Sequence, residues 1–93
     1  MGYRKRVDAN QRAIVQALRA CGWYVHDTSR LGGGYPDVTA ARAGHLLLIE
    51  IKDGTKPISA QVLTLMEAKV HRAFAASGCP VRLIRSIEEA LTL

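Results

Sequence analysis

Three charged residues stand where an apolar sheet would be expected to exclude charge. The run 46–51 is almost continuously apolar, which predicts a central strand covered on both faces, yet it contains Glu50 and is followed by Lys52. Residues i and i+2 of a strand project from the same face, so Glu50 and Lys52 point the same way. Asp37, directly after Pro36, opens the preceding predicted strand. If these strands pair, the carboxylates of Asp37 and Glu50 come close together.

Two neighbouring carboxylates favour a bound cation. They repel each other and burial disfavours their charged forms, and a divalent cation offsets both penalties. Their oxygen atoms suit Mg²⁺ or Mn²⁺, which could polarise a phosphoryl oxygen and lower the pKa of a bound water. Lys52 could orient that water or stabilise charge on the phosphate. The three residues therefore predict phosphodiester hydrolysis; the alternative is an ordinary ion pair of Glu50 with Lys52, with Asp37 as a turn residue.

The composition is that of a small, folded, basic protein. Of 93 residues, 48% are hydrophobic and 23% are charged, which excludes the disordered class. The net charge of +5 favours a polyanionic partner such as nucleic acid. No stretch has the length of a membrane-spanning helix, and the N-terminus lacks the apolar segment of a signal peptide. We expect a single domain over residues 1–93, cytoplasmic and without membrane association.

Hydrophobic periodicity and turn residues predict the elements that position the charged residues. Asp8 with Gln11, and Ser86 with Glu89, have the spacing of helix capping boxes. In chain order the predicted elements are helix 8–20, strand 23–27, strands 37–41 and 45–52 joined as a hairpin around 43–44, helix 59–76, strand 80–85 and a helix from 86. This order predicts an α/β fold in which a mixed sheet is flanked by helices.

The motif residues also carry a family resemblance. The segments YPDV and IEIK, within GGGYPDV…LLLIEIKDGTKPIS, resemble the PD-(D/E)XK nuclease pattern. With RVDANQRAIVQALRACG before them and VRLIRSIEEAL after them, nearly the whole chain resembles the VRR-NUC branch, in particular its small stand-alone phage and prophage nucleases. The resemblance implies an αβββαβ restriction-endonuclease-like core, a Mg²⁺- or Mn²⁺-dependent endonuclease acting on DNA, and a homodimer. Archaeal Holliday junction resolvases are related, so branched or junction DNA is one candidate substrate.

The resemblance also implies roles for individual residues. Asp37 and Glu50 would bind the metal together with the main-chain carbonyl of Ile51, and Lys52 would be the catalytic lysine. The presence of all three charged residues favours a nuclease over two alternatives. One is a catalytically silent nucleic-acid-binding module, and the other is a structural subunit of a phage replication or packaging complex.

Two departures from the family pattern concern supporting residues. Relatives often place a glutamate in the first helix near the metal, where this chain offers Gln11, or Asp8 one turn earlier. Asp8 also fits the simpler role of helix N-cap, which favours a single metal ion per subunit. Relatives often carry a glutamine on the helix that follows the lysine, and here Gln61 and Glu67 both qualify.

Further residues are candidates for contacts with nucleic acid. Consecutive glycines allow a phosphate backbone to approach main-chain N–H groups, and aromatic and basic residues flank them. The candidates are Arg30, Gly32, Gly33, Gly34, Tyr35 and Lys56. The three histidines, His26, His45 and His71, have no metal-ligand spacing, and we expect each to be structural.

Overall fold

The computed structural model describes residues 9–93, and for Ala9 the backbone alone. In chain order the elements are α1 (Ala9–Ala20), β1 (Tyr24–Asp27), β2 (Val38–Arg42), β3 (His45–Ile51), a 3₁₀ turn (Ile58–Ala60), α2 (Leu65–Ala76), β4 (Arg82–Ile84) and α3 (Ile87–Leu91). The order confirms the predicted succession of helices and strands. The predicted cap at Asp8 lies outside the described residues. No helix within the described range is long and apolar enough to cross a membrane.

The four strands form one mixed sheet in the order β1-β2-β3-β4. The first three strands pair antiparallel, and β4 pairs parallel with β3, so β3 is a central strand as its apolar run predicted. Ala43 and Gly44, both at positive φ (49° and 82°), connect β2 to β3. Two successive positive φ values give the twist that a two-residue hairpin needs, and the predicted hairpin is confirmed.

The two faces of the sheet have different environments. Ile14 and Leu18 of α1 pack with Val38 and Ile49 in the main hydrophobic core, and Ala90 of α3 belongs to the same cluster. Because side chains alternate along a strand, the residues next to Val38 and Ile49 project from the opposite face. That face is covered by α2, none of whose residues is fully buried. The sheet therefore has one well-packed apolar face and one face that carries charge.

The helix predicted over residues 59–76 is wrong in its first half. Residues 58–60 form a 3₁₀ turn, and the α-helix begins only at Leu65. Thr64 is its N-cap, since the Thr64 side chain accepts a hydrogen bond from Glu67 N and the Glu67 carboxylate accepts one from Thr64 N. In a continuous helix, the main-chain N–H groups of Thr64 and Glu67 would donate to carbonyl groups one turn earlier. Here the two side chains of the capping box accept these hydrogen bonds instead, so a new helix begins at this point.

The cap predicted for the last helix is only partly confirmed. Ser86 is the N-cap of α3 and accepts a hydrogen bond from Glu89 N. The Glu89 carboxylate, however, accepts from the main-chain N–H of Arg85 at 2.6 Å. Both donors at the helix start are satisfied, although the reciprocal bond reaches one residue further back than the capping box requires.

The glycine-rich loop before β2 packs against the start of α2. Gly34 has a φ of +85°, and a Cβ atom there would overlap the main-chain carbonyl oxygen of Met66. Gly34 is therefore needed for close approach as well as for its backbone conformation. The Tyr35 ring meets the Phe74 ring edge to face, with centroids 6.1 Å apart. These contacts hold the loop that leads into β2 against the helix that covers the charged face.

Candidate active site

Asp37 and Glu50 form a buried carboxyl pair on the charged face of the sheet. The register places Val38 opposite Ile49, so the adjoining residues Asp37 and Glu50 face each other across the two strands. Asp37 is 9% exposed and Glu50 only 1%, and the two carboxyl groups share a hydrogen bond. Asp37 Oδ2 also accepts a hydrogen bond from the main-chain N–H of Ile51 at 2.8 Å. This bond fixes the Asp37 side chain to the end of β3.

The protonation of this pair reflects its burial. Desolvation, the hydrogen bond to Asp37 and the charge of Asp37 raise the pKa of Glu50 to about 9, although Lys52 acts in the opposite direction. At neutral pH the pair therefore holds one proton, because two adjacent buried carboxylates cannot both be charged without a cation. A divalent cation could take the place of that proton.

The donor atoms available here fit a hard divalent cation. Within the described part of the chain, no three His, Cys, Asp or Glu side chains are grouped as a metal site. The side-chain donors are therefore the two carboxyl groups of Asp37 and Glu50, whose oxygen atoms are the ligand type that Mg²⁺ and Mn²⁺ prefer. Mg²⁺ commonly binds through one or two carboxylates and keeps several waters, so a pair of carboxylates is a sufficient protein ligand set.

Lys52 stands directly after β3 and is held by α2. Its main-chain N–H donates to Ile84 O at 3.0 Å, and its Nζ lies 3.1 Å from Glu67 Oε1. Burial alone would raise the pKa of Glu67, but hydrogen bonds from Thr64 N and Lys52, together with the lysine charge, outweigh it and lower that pKa. Glu67 is thus a charged partner that keeps the ammonium group at the site.

The structure distinguishes the two candidates for the supporting residue after the lysine. Glu67 contacts Lys52 directly. Gln61 instead donates to the main-chain carbonyl of Lys56 and accepts from Arg85 Nε. Of these two candidates, Glu67 is therefore the one that joins the site through Lys52, and Gln61 is not.

The first helix reaches the same end of β3 through a residue that the sequence did not single out. Asn10 Nδ2 donates to the main-chain carbonyl of Lys52 at 2.8 Å and lies 3.4 Å from that of Arg85. Gln11 is buried, and its Nε2 has no hydrogen-bond partner among the described residues. The alternative candidate, Asp8, falls outside the described range. An amide side chain in the first turn of a helix is common, so nothing in the sequence distinguished Asn10 as a residue of the site.

His71 was also missed, and the structure places it against Glu50. Its Nε2 lies 3.3 Å from Glu50 Oε1, and both side chains are largely buried. Burial lowers the pKa of His71, with the charge of Glu67 acting in the opposite direction. The i, i+4 spacing of Glu67 and His71 on one helix face could have indicated that both point towards the strand.

The candidates for nucleic-acid contact divide into two groups. Gly34 and Tyr35 are engaged in packing against α2 and Phe74. The others are exposed, and the two glycines among them have open space where a Cβ atom would lie. These exposed candidates are Arg30, Gly32, Gly33 and Lys56.

Comparison with solved structures found a similar fold. A structure described as "VRR_NUC domain" superposes with a TM-score of 0.66 and shares 25% sequence identity, covering 89% of this chain and 87% of that chain. Neither a family model nor a curated protein matched the chain. The similarity therefore extends over most of the chain.

Proposed function

We propose, from the premise that the chain belongs to the VRR-NUC domain family, that residues 1–93 form one Mg²⁺- or Mn²⁺-dependent DNA endonuclease domain. The observation that carries this proposal is the buried pair of Asp37 and Glu50 beside Lys52. Such a pair is costly to bury unless a cation binds it, and a nearby ammonium group is suited to an anionic substrate.

Asp37 and Glu50 would hold the cation, with the main-chain carbonyl of Ile51 as a third ligand. When bound, the metal would supply positive charge that polarises a phosphoryl oxygen and lowers the pKa of a water. The chain's own contribution is orientation, since Ile51 N–H fixes the Asp37 carboxylate. Lys52, held by Glu67, stabilises negative charge that develops on the phosphate or orients the attacking water.

DNA is the proposed substrate because the chain is basic and exposes positive charge on the loops before β2 and after β3. The net charge is +5, and Arg30 and Lys56 are exposed on loops that flank β2 and β3. Contacts from such side chains to phosphates position a duplex without reading its sequence. We therefore propose that the protein recognises the structure of DNA and not its sequence, with branched or junction DNA as the preferred form. We also propose a cytoplasmic location.

The direct test is cleavage of a panel of end-labelled DNAs, namely linear duplex, nicked duplex, flap and four-way junction. We expect cleavage with Mg²⁺ or Mn²⁺, none with a chelator, and a preference for the branched forms. Affinity measured in chelator should fall steeply with salt, because Lys and Arg contacts release counterions. Salt-sensitive binding without cleavage would instead identify a silent binding module, and absence of both would favour the structural-subunit alternative.

We also propose that the protein is a homodimer, and the surface around the start of α2 supports this. Four apolar side chains there are exposed, and Leu65 is 91% exposed; the set is Ile58, Val62, Leu65 and Met66. A second copy of the chain would remove this surface from water. Light scattering should give twice the 10.1 kDa chain mass, and Leu65→Glu should give the monomer mass. A wild-type monomer at micromolar concentration would contradict the proposal.

A further inference from the structure

The Nε2 atom of His71 is directed at a residue proposed to bind metal. It lies 3.3 Å from Glu50 Oε1, and the His71 and Glu50 side chains are 15% and 2% exposed. His71 stands one helical turn after Glu67, so the same face of α2 presents one residue to Lys52 and another to Glu50. The other two histidines, His26 and His45, are exposed on the sheet.

Asp37 and Glu50 are held by different kinds of hydrogen-bond partner. The Asp37 carboxylate is held by the main-chain N–H of Ile51, which a side-chain substitution cannot remove. The Glu50 carboxyl group is in hydrogen-bond contact with the side chains of Asp37, Glu67 and His71. Lys52 directs its Nζ to Glu67 rather than to Glu50. Charged carboxylates only accept hydrogen bonds, so of these three side chains His71 is the one that can donate to a charged Glu50.

We propose that His71 is a positioning residue for Glu50: its Nε2–H donates to Oε1 and so determines which carboxylate lone pairs face the cation. The proposal depends on the proposed function, because it assumes that Glu50 binds metal. Metal-ligating carboxylates are commonly hydrogen-bonded by a second residue, and loss of that partner typically costs about 10–100-fold in metal affinity. His71 acts through Glu50 and needs no contact with substrate.

The test compares His71→Phe, which keeps a planar ring but lacks the donor, with His71→Gln, whose side-chain amide provides an N–H near the same place. We expect His71→Phe to weaken Mn²⁺ binding in calorimetry about 10–100-fold, and to raise the Mn²⁺ concentration for half-maximal cleavage equally. The turnover number at saturating Mn²⁺ should change only a few-fold. His71→Gln should recover most of the affinity. The matched control is His45→Phe, at an exposed position on the same strand as Glu50, which should leave Mn²⁺ binding unchanged.

The outcomes separate this inference from the proposed function. Wild-type protein that binds Mn²⁺ and cleaves DNA, together with a His71→Phe variant of equal Mn²⁺ affinity, would overturn the role of His71 alone. The same conclusion would follow if His71→Phe and His71→Gln lost affinity equally, because the donor would then not be the property that matters. Wild-type protein that neither binds Mn²⁺ nor cleaves DNA would overturn both.

Discussion

Replacement of Glu50 by glutamine is expected to lower the rate of DNA cleavage at least about 100-fold, equivalent to about 2.7 kcal/mol of transition-state stabilisation. Glutamine has nearly the same shape, so the buried position between β2 and α2 is preserved. It removes one of the two carboxylates that would hold the cation, and it presents an amide group where the metal needs an anionic oxygen. The measurement is single-turnover cleavage of labelled DNA at saturating Mg²⁺.

DNA binding provides the internal control for this variant. The exposed basic residues proposed to contact phosphates, Arg30 and Lys56, are untouched, so affinity in chelator should be that of the wild-type protein. Glu88→Gln on α3 is the matched control, since it removes an exposed carboxylate by the same chemical change. Near-normal cleavage by Glu50→Gln, with Glu88→Gln also active, would refute the assignment of the carboxyl pair.

The second large effect concerns the stability of the metal-free protein. Burial and the neighbouring Asp37 raise the pKa of Glu50 from 4.5 to about 9 in the folded state. The unfolded chain therefore releases this proton at lower pH than the folded chain does. The stabilising contribution is complete below the unfolded pKa and is lost as pH rises through the folded value. Since one pKa unit corresponds to about 1.36 kcal/mol, the total loss amounts to several kcal/mol.

The informative window lies between about pH 7 and about pH 9, above the range of the other shifted groups. The pKa of His71 is lowered, so its effect on stability appears at more acidic pH and has the opposite sign. In chelator, the melting temperature of the wild-type protein should fall across this window, and that of Glu50→Gln should stay nearly constant and be higher at the alkaline end. Saturating Mn²⁺ should flatten the wild-type curve. A flat wild-type curve without metal would contradict the raised pKa of Glu50.

Those parts of the fold set by local pattern could be predicted from the sequence. The continuous apolar run predicted that β3 is central, and the Ala43–Gly44 pair predicted the hairpin. Strand alternation then placed Glu50 on the face opposite Ile49 and brought Asp37 opposite Glu50. These inferences needed only the period of two along a strand and the conformational preference of a tight turn.

The positions of the residues that α2 contributes to the site depend on tertiary packing. The apolar spacing from Ser59 onward is compatible with one helix, and the sequence alone could not show that Thr64 and Glu67 restart it. That restart leaves Gln61 outside α2 and places Glu67 in its first turn, where it reaches Lys52. It also brings His71 to Glu50. The i, i+4 spacing shows that His71 shares a helix face with Glu67, but it does not show which strand residue His71 contacts.

One oxygen atom joins the beginning of α2 to the proposed catalytic lysine. Glu67 Oε1 accepts from both Thr64 N and Lys52 Nζ, and the same helix carries His71 to Glu50. Because α2 has no fully buried residue, its docking is supported by little apolar contact, as is typical of segments that open locally well below global unfolding. A single undocking event would release Lys52 and Glu50 from their helix partners together. The fraction of molecules able to react would then follow the population of the docked helix, and activity on warming would decline before the sheet melts.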